Sequence, residues 1–104
     1  MKVIWQTPAI EGKQQVADYI RDRFGYKRKR MFIQQVNETV RKLMHSPNIG
    51  PIDSLFSDRP CTYRSIIING LSKMVYRIDD DVIYIVAFWD TRQEPEAQAA
   101  QVNG

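Results

Sequence analysis

The side chains with the most chemical capacity in this chain are cations. Arg64, Lys73 and Arg77 fall inside stretches rich in Ile, Val and Tyr, and Arg92 follows another such stretch. A guanidinium or ammonium so placed can hold a phosphate or neutralise charge developing on one; proton transfer needs in addition a group that titrates near neutrality. The single histidine, His45, is expected at a helix C-terminus, where the helix dipole accounts for it. The single cysteine, Cys61, cannot form an internal disulfide, and one Cys with one His is too few soft ligands for zinc. Asp79, Asp80 and Asp81 read as a solvated turn. No metal and no other cofactor is expected.

A second concentration of charge lies at residues 21–30, where Arg21, Arg23, Lys27, Arg28, Lys29 and Arg30 stand against one acid, Asp22. This stretch carries +5, more than the +3 of the whole chain, so the remainder is slightly acidic. It reads either as a solvated junction between helices or as an electrostatic footprint for nucleic acid or an acidic partner, with Arg28 and Arg30 as candidate contacts.

The elements that must position these cations follow from pattern. The 104 residues suit one domain, and the 43% hydrophobic and 26% charged fractions are those of an ordinary globular chain. No apolar run approaches the roughly 20 residues that cross a bilayer, and no basic, apolar and cleavage regions of a signal peptide open the chain, so a cytoplasmic address and no membrane partner are expected. Residues 2–6, Lys-Val-Ile-Trp-Gln, read as a strand. Thr7 then reads as an N-cap with Pro8 at the first helical position. Ala9, Val16, Ala17, Ile20 and Phe24 form one apolar stripe that Gly25 ends. Over residues 28–45, Phe32, Val36, Val40, Leu43 and Met44 form another, stopped by Ser46-Pro47 and Gly50-Pro51. Residues 62–68, 71–78 and 82–89 are strand-like, turning at Asn69-Gly70 and at Asp79-Asp80-Asp81. The tail, residues 94–104, is expected to be flexible, leaving residues 1–93 as the domain.

The fold class is therefore α+β: an N-terminal strand, a helix hairpin, then a three-stranded antiparallel meander with the helices on one sheet face. A two-residue Asn69-Gly70 loop opposes Ile68 to Leu71, Ile66 to Lys73 and Arg64 to Val75. Arg64, Lys73 and Arg77 then share one face with Ile66, Ile68, Leu71 and Val75. The other face, with Tyr63, Ser65, Ile67, Met74, Tyr76 and Ile78, is the more apolar and is expected to pack on the helices, leaving the cationic face open or covered by something else.

The runs Tyr63-Arg64-Ser65-Ile66-Ile67-Ile68, Lys73-Met74-Val75-Tyr76-Arg77-Ile78-Asp79 and Val82-Ile83-Tyr84-Ile85-Val86-Ala87-Phe88-Trp89-Asp90-Thr91-Arg92 resemble the C-terminal half of the RelE/ParE toxins of type II toxin-antitoxin systems, and Thr7-Pro8-Ala9 matches their first helix start. The likeness extends over roughly residues 1–96. It implies a growth-arresting toxin of a kind associated with plasmid stabilization, neutralised by a cognate antitoxin in a toxin-antitoxin hetero-oligomer. RelE-like members cut mRNA on the ribosome; ParE-like members inhibit DNA gyrase. Carried over by position, Arg64, Lys73 and Arg92 fall where RelE-like enzymes place catalytic cations. The stretch after Arg92, Gln93-Glu94-Pro95-Glu96-Ala97-Gln98, lacks the Tyr or His-Tyr pair common in RNA-cutting members. That departure favours a ParE-like inhibitor of gyrase over a ribosome-dependent mRNA interferase. A non-catalytic nucleic-acid-binding module using residues 21–30 is the further alternative. In the non-catalytic readings Arg64, Lys73, Arg77, Arg92, Arg28 and Arg30 are the candidate contacts to target or antitoxin.

Overall fold

Strand β1 (Lys2–Trp5) leads into helices α1 (Thr7–Phe24) and α2 (Tyr26–His45); a 3-10 turn at Ser54–Phe56 precedes β2 (Arg64–Ile68), β3 (Ser72–Asp79) and β4 (Val82–Asp90). The computed structural model describes residues 1–91 and Val102. One sheet has the order β1-β4-β3-β2, with β1 parallel to β4 and the other pairs antiparallel. The expected α+β arrangement is the observed one. Of the tail expected to be flexible, Val102 is the described residue, and it is buried; the rest of residues 94–104 lies outside the described residues, as does Arg92.

Gly25 separates the helices by itself. Its φ of +94° is one that side-chain-bearing residues rarely adopt, its N–H closes the last turn of α1 on the Arg21 carbonyl at 2.8 Å, and its own carbonyl accepts from Lys29 at 3.2 Å. α2 consequently starts at Tyr26, two residues earlier than its apolar stripe implies. Thr7 does not cap α1: the N-cap is Gln6, without a side-chain cap, and its carbonyl accepts from Ala9 and Ile10. α1 lies on β4 through small residues, Ala9, Gly12 and Ala17, all buried. A Cβ on Gly12 would stand 1.8 Å from the Phe88 carbonyl oxygen.

The main core lies between helices and sheet, where Phe32, Val36 and Leu43 from α2 meet Met74, Tyr76, Ile85 and Phe88. Val40 and Ile78 pack at its margin. Burying each such side chain stabilises the fold by about 1.5–3 kcal/mol. The opposite sheet face is covered rather than open: Phe56, Tyr63, Val75, Ala87, Trp89 and Val102 form a second cluster there. Covered on both faces, β4 reads as the nearly unbroken apolar run it is.

Strand parity also departs from expectation. Asn69 and Gly70 do adopt positive φ, 56° and 68°, and Leu71 donates to the Ile68 carbonyl at 3.2 Å across the turn. The pairing nevertheless resumes at Ile68 opposite Ser72, so Leu71 is an extra residue and the connection has an odd length. The reason lies outside the hairpin: the Leu71 carbonyl accepts from Thr91 N–H at the end of β4, at 2.9 Å. Arg64 therefore opposes Tyr76, and Lys73 opposes Ile67. Because directly opposed residues share a face, Arg64 lies on the helix side while Lys73 and Arg77 lie on the other. Ile66 and Ile68 join the helix-side core, and Tyr63 the second cluster. A further slip between Val75 and Tyr76 leaves Val86 unpaired in β4.

Candidate functional site

Arg64, on the edge strand, is turned toward the loop that follows α2. Its Nη1 donates to the Gly50 carbonyl at 2.8 Å and to the Asn48 carbonyl at 3.4 Å. The neighbouring Tyr76 hydroxyl donates to the Pro47 carbonyl at 2.7 Å and accepts from Gly50 N–H at 3.0 Å. Together they latch residues 47–50 to the sheet, and Gly50 is needed because a Cβ would lie 2.8 Å from that hydroxyl. Arg64 thus spends its charge on the protein's own carbonyls.

Tyr76→Phe is expected to cost about 1–3 kcal/mol, since it leaves a buried N–H and a carbonyl without their partner. Burial raises the Tyr76 phenol above its ordinary value, against smaller lowering by the Gly50 hydrogen bond and the Arg64 charge. Above the unfolded phenol value of about 10 the unfolded chain releases a proton that the folded chain retains, so this contribution falls as pH rises through the folded value. Thermal midpoints should therefore show the gap between wild type and Tyr76→Phe narrowing above pH about 10; a gap independent of pH would contradict the latch.

Lys73 is equally committed. Its Nζ is 2.5 Å from Asp53 Oδ2, and the two side chains are 15% and 9% exposed. Asp53 Oδ1 accepts from Leu55 N–H at 3.0 Å and so caps the 3-10 turn. The rings of Phe56 and Trp89 flank the ammonium, each with its centroid 5.8 Å from Nζ. Arg77, farther along this face, lies over the Tyr84 ring at 4.3 Å and pairs loosely with Asp79 at 3.6 Å. The structure therefore does not bring Arg64 and Lys73 together around one anion.

The least committed cations are on the helix hairpin. Asp18 draws in Arg21 at 3.5 Å and Lys29 at 3.8 Å, and Asp22 pairs with Arg21 at 3.1 Å, raising the Arg21 guanidinium through that hydrogen bond and the charge of Asp22. Arg23, Lys27, Arg28 and Arg30 are exposed and make no ion pair among the described residues. Beside Arg28 a groove of about 450 Å³ runs between the hairpin and the β2–β3 turn, lined by Ile20, Phe24, Met31, Phe32 and Leu71. Phe24, expected in the core, is 60% exposed here, and the extra Leu71 is 57% exposed. Large apolar side chains open to solvent beside unpaired cations mark a surface for a partner rather than for a small substrate. Sequence reasoning missed this groove. The available signal was Phe24-Gly25-Tyr26: aromatic side chains at the two helix ends that flank a break, where fewer neighbours cover them.

No helix among the described residues is long and apolar enough to cross a membrane. The profile of the family described as ParE toxin of type II toxin-antitoxin system, parDE, matches residues 3–95. Among solved structures, the chain is similar to one in "Chromosomal ParDE TA system from P. aeruginosa", with a TM-score of 0.69 and 19% identity over 86% of this chain and 95% of that one. Among curated protein sequences, none matches.

Proposed function

The chain belongs to the ParE toxin family of type II toxin-antitoxin systems, and from that premise we propose that it inhibits DNA gyrase in the cytoplasm without chemistry of its own and is neutralised by a cognate antitoxin. The observation that carries this reading is the opposed placement of Arg64 and Lys73. Cleaving RNA by charge alone needs cations converging on one phosphate, whereas here one cation serves loop carbonyls and the other serves Asp53. What supports an antitoxin partner is the hairpin groove: an acidic amphipathic segment would set apolar side chains against Phe24, Met31 and Leu71 and carboxylates against Arg28, which lines the groove, whereas Arg30 does not. The complex would be a hetero-oligomer. Arg77 and Arg92 remain the proposed contacts to the target.

Induction in a bacterial host tests this. Wild type should arrest growth, and co-expression of its cognate antitoxin should restore growth. Arg92→Ala should weaken the arrest at least about tenfold, the worth of a lost charge-assisted hydrogen bond, with little change in thermal midpoint. A folded Arg92→Ala protein that remains fully toxic removes that residue from the target contact; absence of arrest by wild type refutes the toxin reading.

A further inference from the structure

We propose that the outer face of α2 binds the phosphate backbone of duplex DNA, lying across the major groove with one pair of cations on each flanking strand. This goes beyond the toxin reading and does not rest on it. α2 has 20 residues, hence a length of about 30 Å. Phe32, Val36 and Leu43 turn one side of it into the core. The opposite side, by helical periodicity, presents Lys27, Arg30, Gln34, Asn37, Arg41 and Lys42, all exposed. Among the described residues none of these four cations is in an ion pair, whereas Lys29, on the inner side, is paired with Asp18. The acids near the hairpin are thus spent inward, and the outer side keeps its charge.

The first turn adds to this. α2 has no acidic residue there and no side-chain cap, yet it carries Lys27 and Arg28 where the helix dipole disfavours cations. A bound anion would relieve both conditions. Phe24 and Tyr26, 60% and 71% exposed, stand beside this end and provide apolar surface for a sugar face.

Spacing selects the kind of polyanion. Lys27 with Arg30 and Arg41 with Lys42 are centred 13 residues apart, about 20 Å along the axis. The major groove of B-form DNA is about 12 Å wide between its phosphate walls, so two cation pairs that far apart reach both walls with Gln34 and Asn37 over the opening. Glu38, the one acid on this side, then sits over the groove and away from the phosphates. Against an acidic peptide the same Glu38 would be repelled and the uncharged middle would be idle. The narrow major groove of A-form RNA brings its phosphate walls too close together for that spacing.

Fluorescence anisotropy of the full chain with a labelled duplex of about 20 base pairs and arbitrary sequence tests the proposal. Four phosphate contacts predict a slope of log affinity against log salt of about −3.6, a loss of about 150-fold between roughly 50 and 200 mM. Lys27→Gln/Arg30→Gln and Arg41→Gln/Lys42→Gln should each reduce the slope to about −1.8 without moving the thermal midpoint, and the fourfold variant should lose measurable binding. Duplex RNA of the same sequence and polyglutamate should compete at least tenfold less well. The proposal fails if wild type does not bind DNA at the lowest salt, if the variants bind as wild type does, or if RNA or polyglutamate competes as well as DNA.

Discussion

Gly12→Ala is expected to destabilise the domain by about 3 kcal/mol or more, at the upper end of overpacking substitutions. The added methyl group would lie 1.8 Å from the Phe88 carbonyl oxygen and 2.8 Å from its carbon, so what it meets is backbone. A flexible side chain could swing aside; the Phe88 carbonyl is backbone of β4, held in register opposite Met74 of β3. Relief requires α1 to lift from the sheet, which loosens Ala9 and Ala17 from the same core. For a domain of this size the thermal midpoint should fall by roughly 12 °C or more. A fall of only a few degrees would mean that α1 does not approach β4 as closely as described.

Lys73→Met should cost about 3–5 kcal/mol, the usual result of leaving one member of a largely buried ion pair uncompensated. Asp53 Oδ2 has no hydrogen-bond partner among the described residues, so the ammonium is the group that neutralises it. Lys73→Met/Asp53→Asn should recover most of the loss, because an amide oxygen at residue 53 can still accept from Leu55 N–H without stranding a charge. This pair of variants separates structure from catalysis. If Lys73 acts on a scissile phosphate, the single variant stays folded and loses toxicity, and the double variant stays inactive. The ion-pair account predicts a low thermal midpoint for the single variant and restored stability and toxicity for the double.

The local part of this fold was legible because its causes are local. The break at Gly25, the positive φ values at Asn69 and Gly70 and the apolar stripe of α2 each follow from residues within one or two turns of themselves. Parity was not legible, because the residue that changes it answers to a distant strand: Leu71 is held out of register by Thr91. One extra residue exchanges the faces of everything before it, which is why Arg64 moved to the helix side while Lys73 and Arg77 kept company. The partner of Lys73, Asp53, lies in an irregular segment with no periodicity to place it. Phe24 was misplaced for a related reason: its spacing fits the α1 stripe, but the stripe outlasts the sheet beneath it, and the side chain emerges at the groove instead. The cluster at residues 21–30 was visible as a run of charge, whereas its division into inward pairs and outward cations needed the hairpin geometry.

On the proposed reading, this ParE-family chain acts on gyrase by binding and has no ribonuclease chemistry. The direct test gives one purified preparation two substrates: relaxed plasmid with gyrase and ATP, and message held on ribosomes. Supercoiling should be inhibited at concentrations of toxin that leave the message intact, and added antitoxin should restore it. Cleavage of ribosome-bound message at defined codon positions, with supercoiling unaffected, would contradict the account.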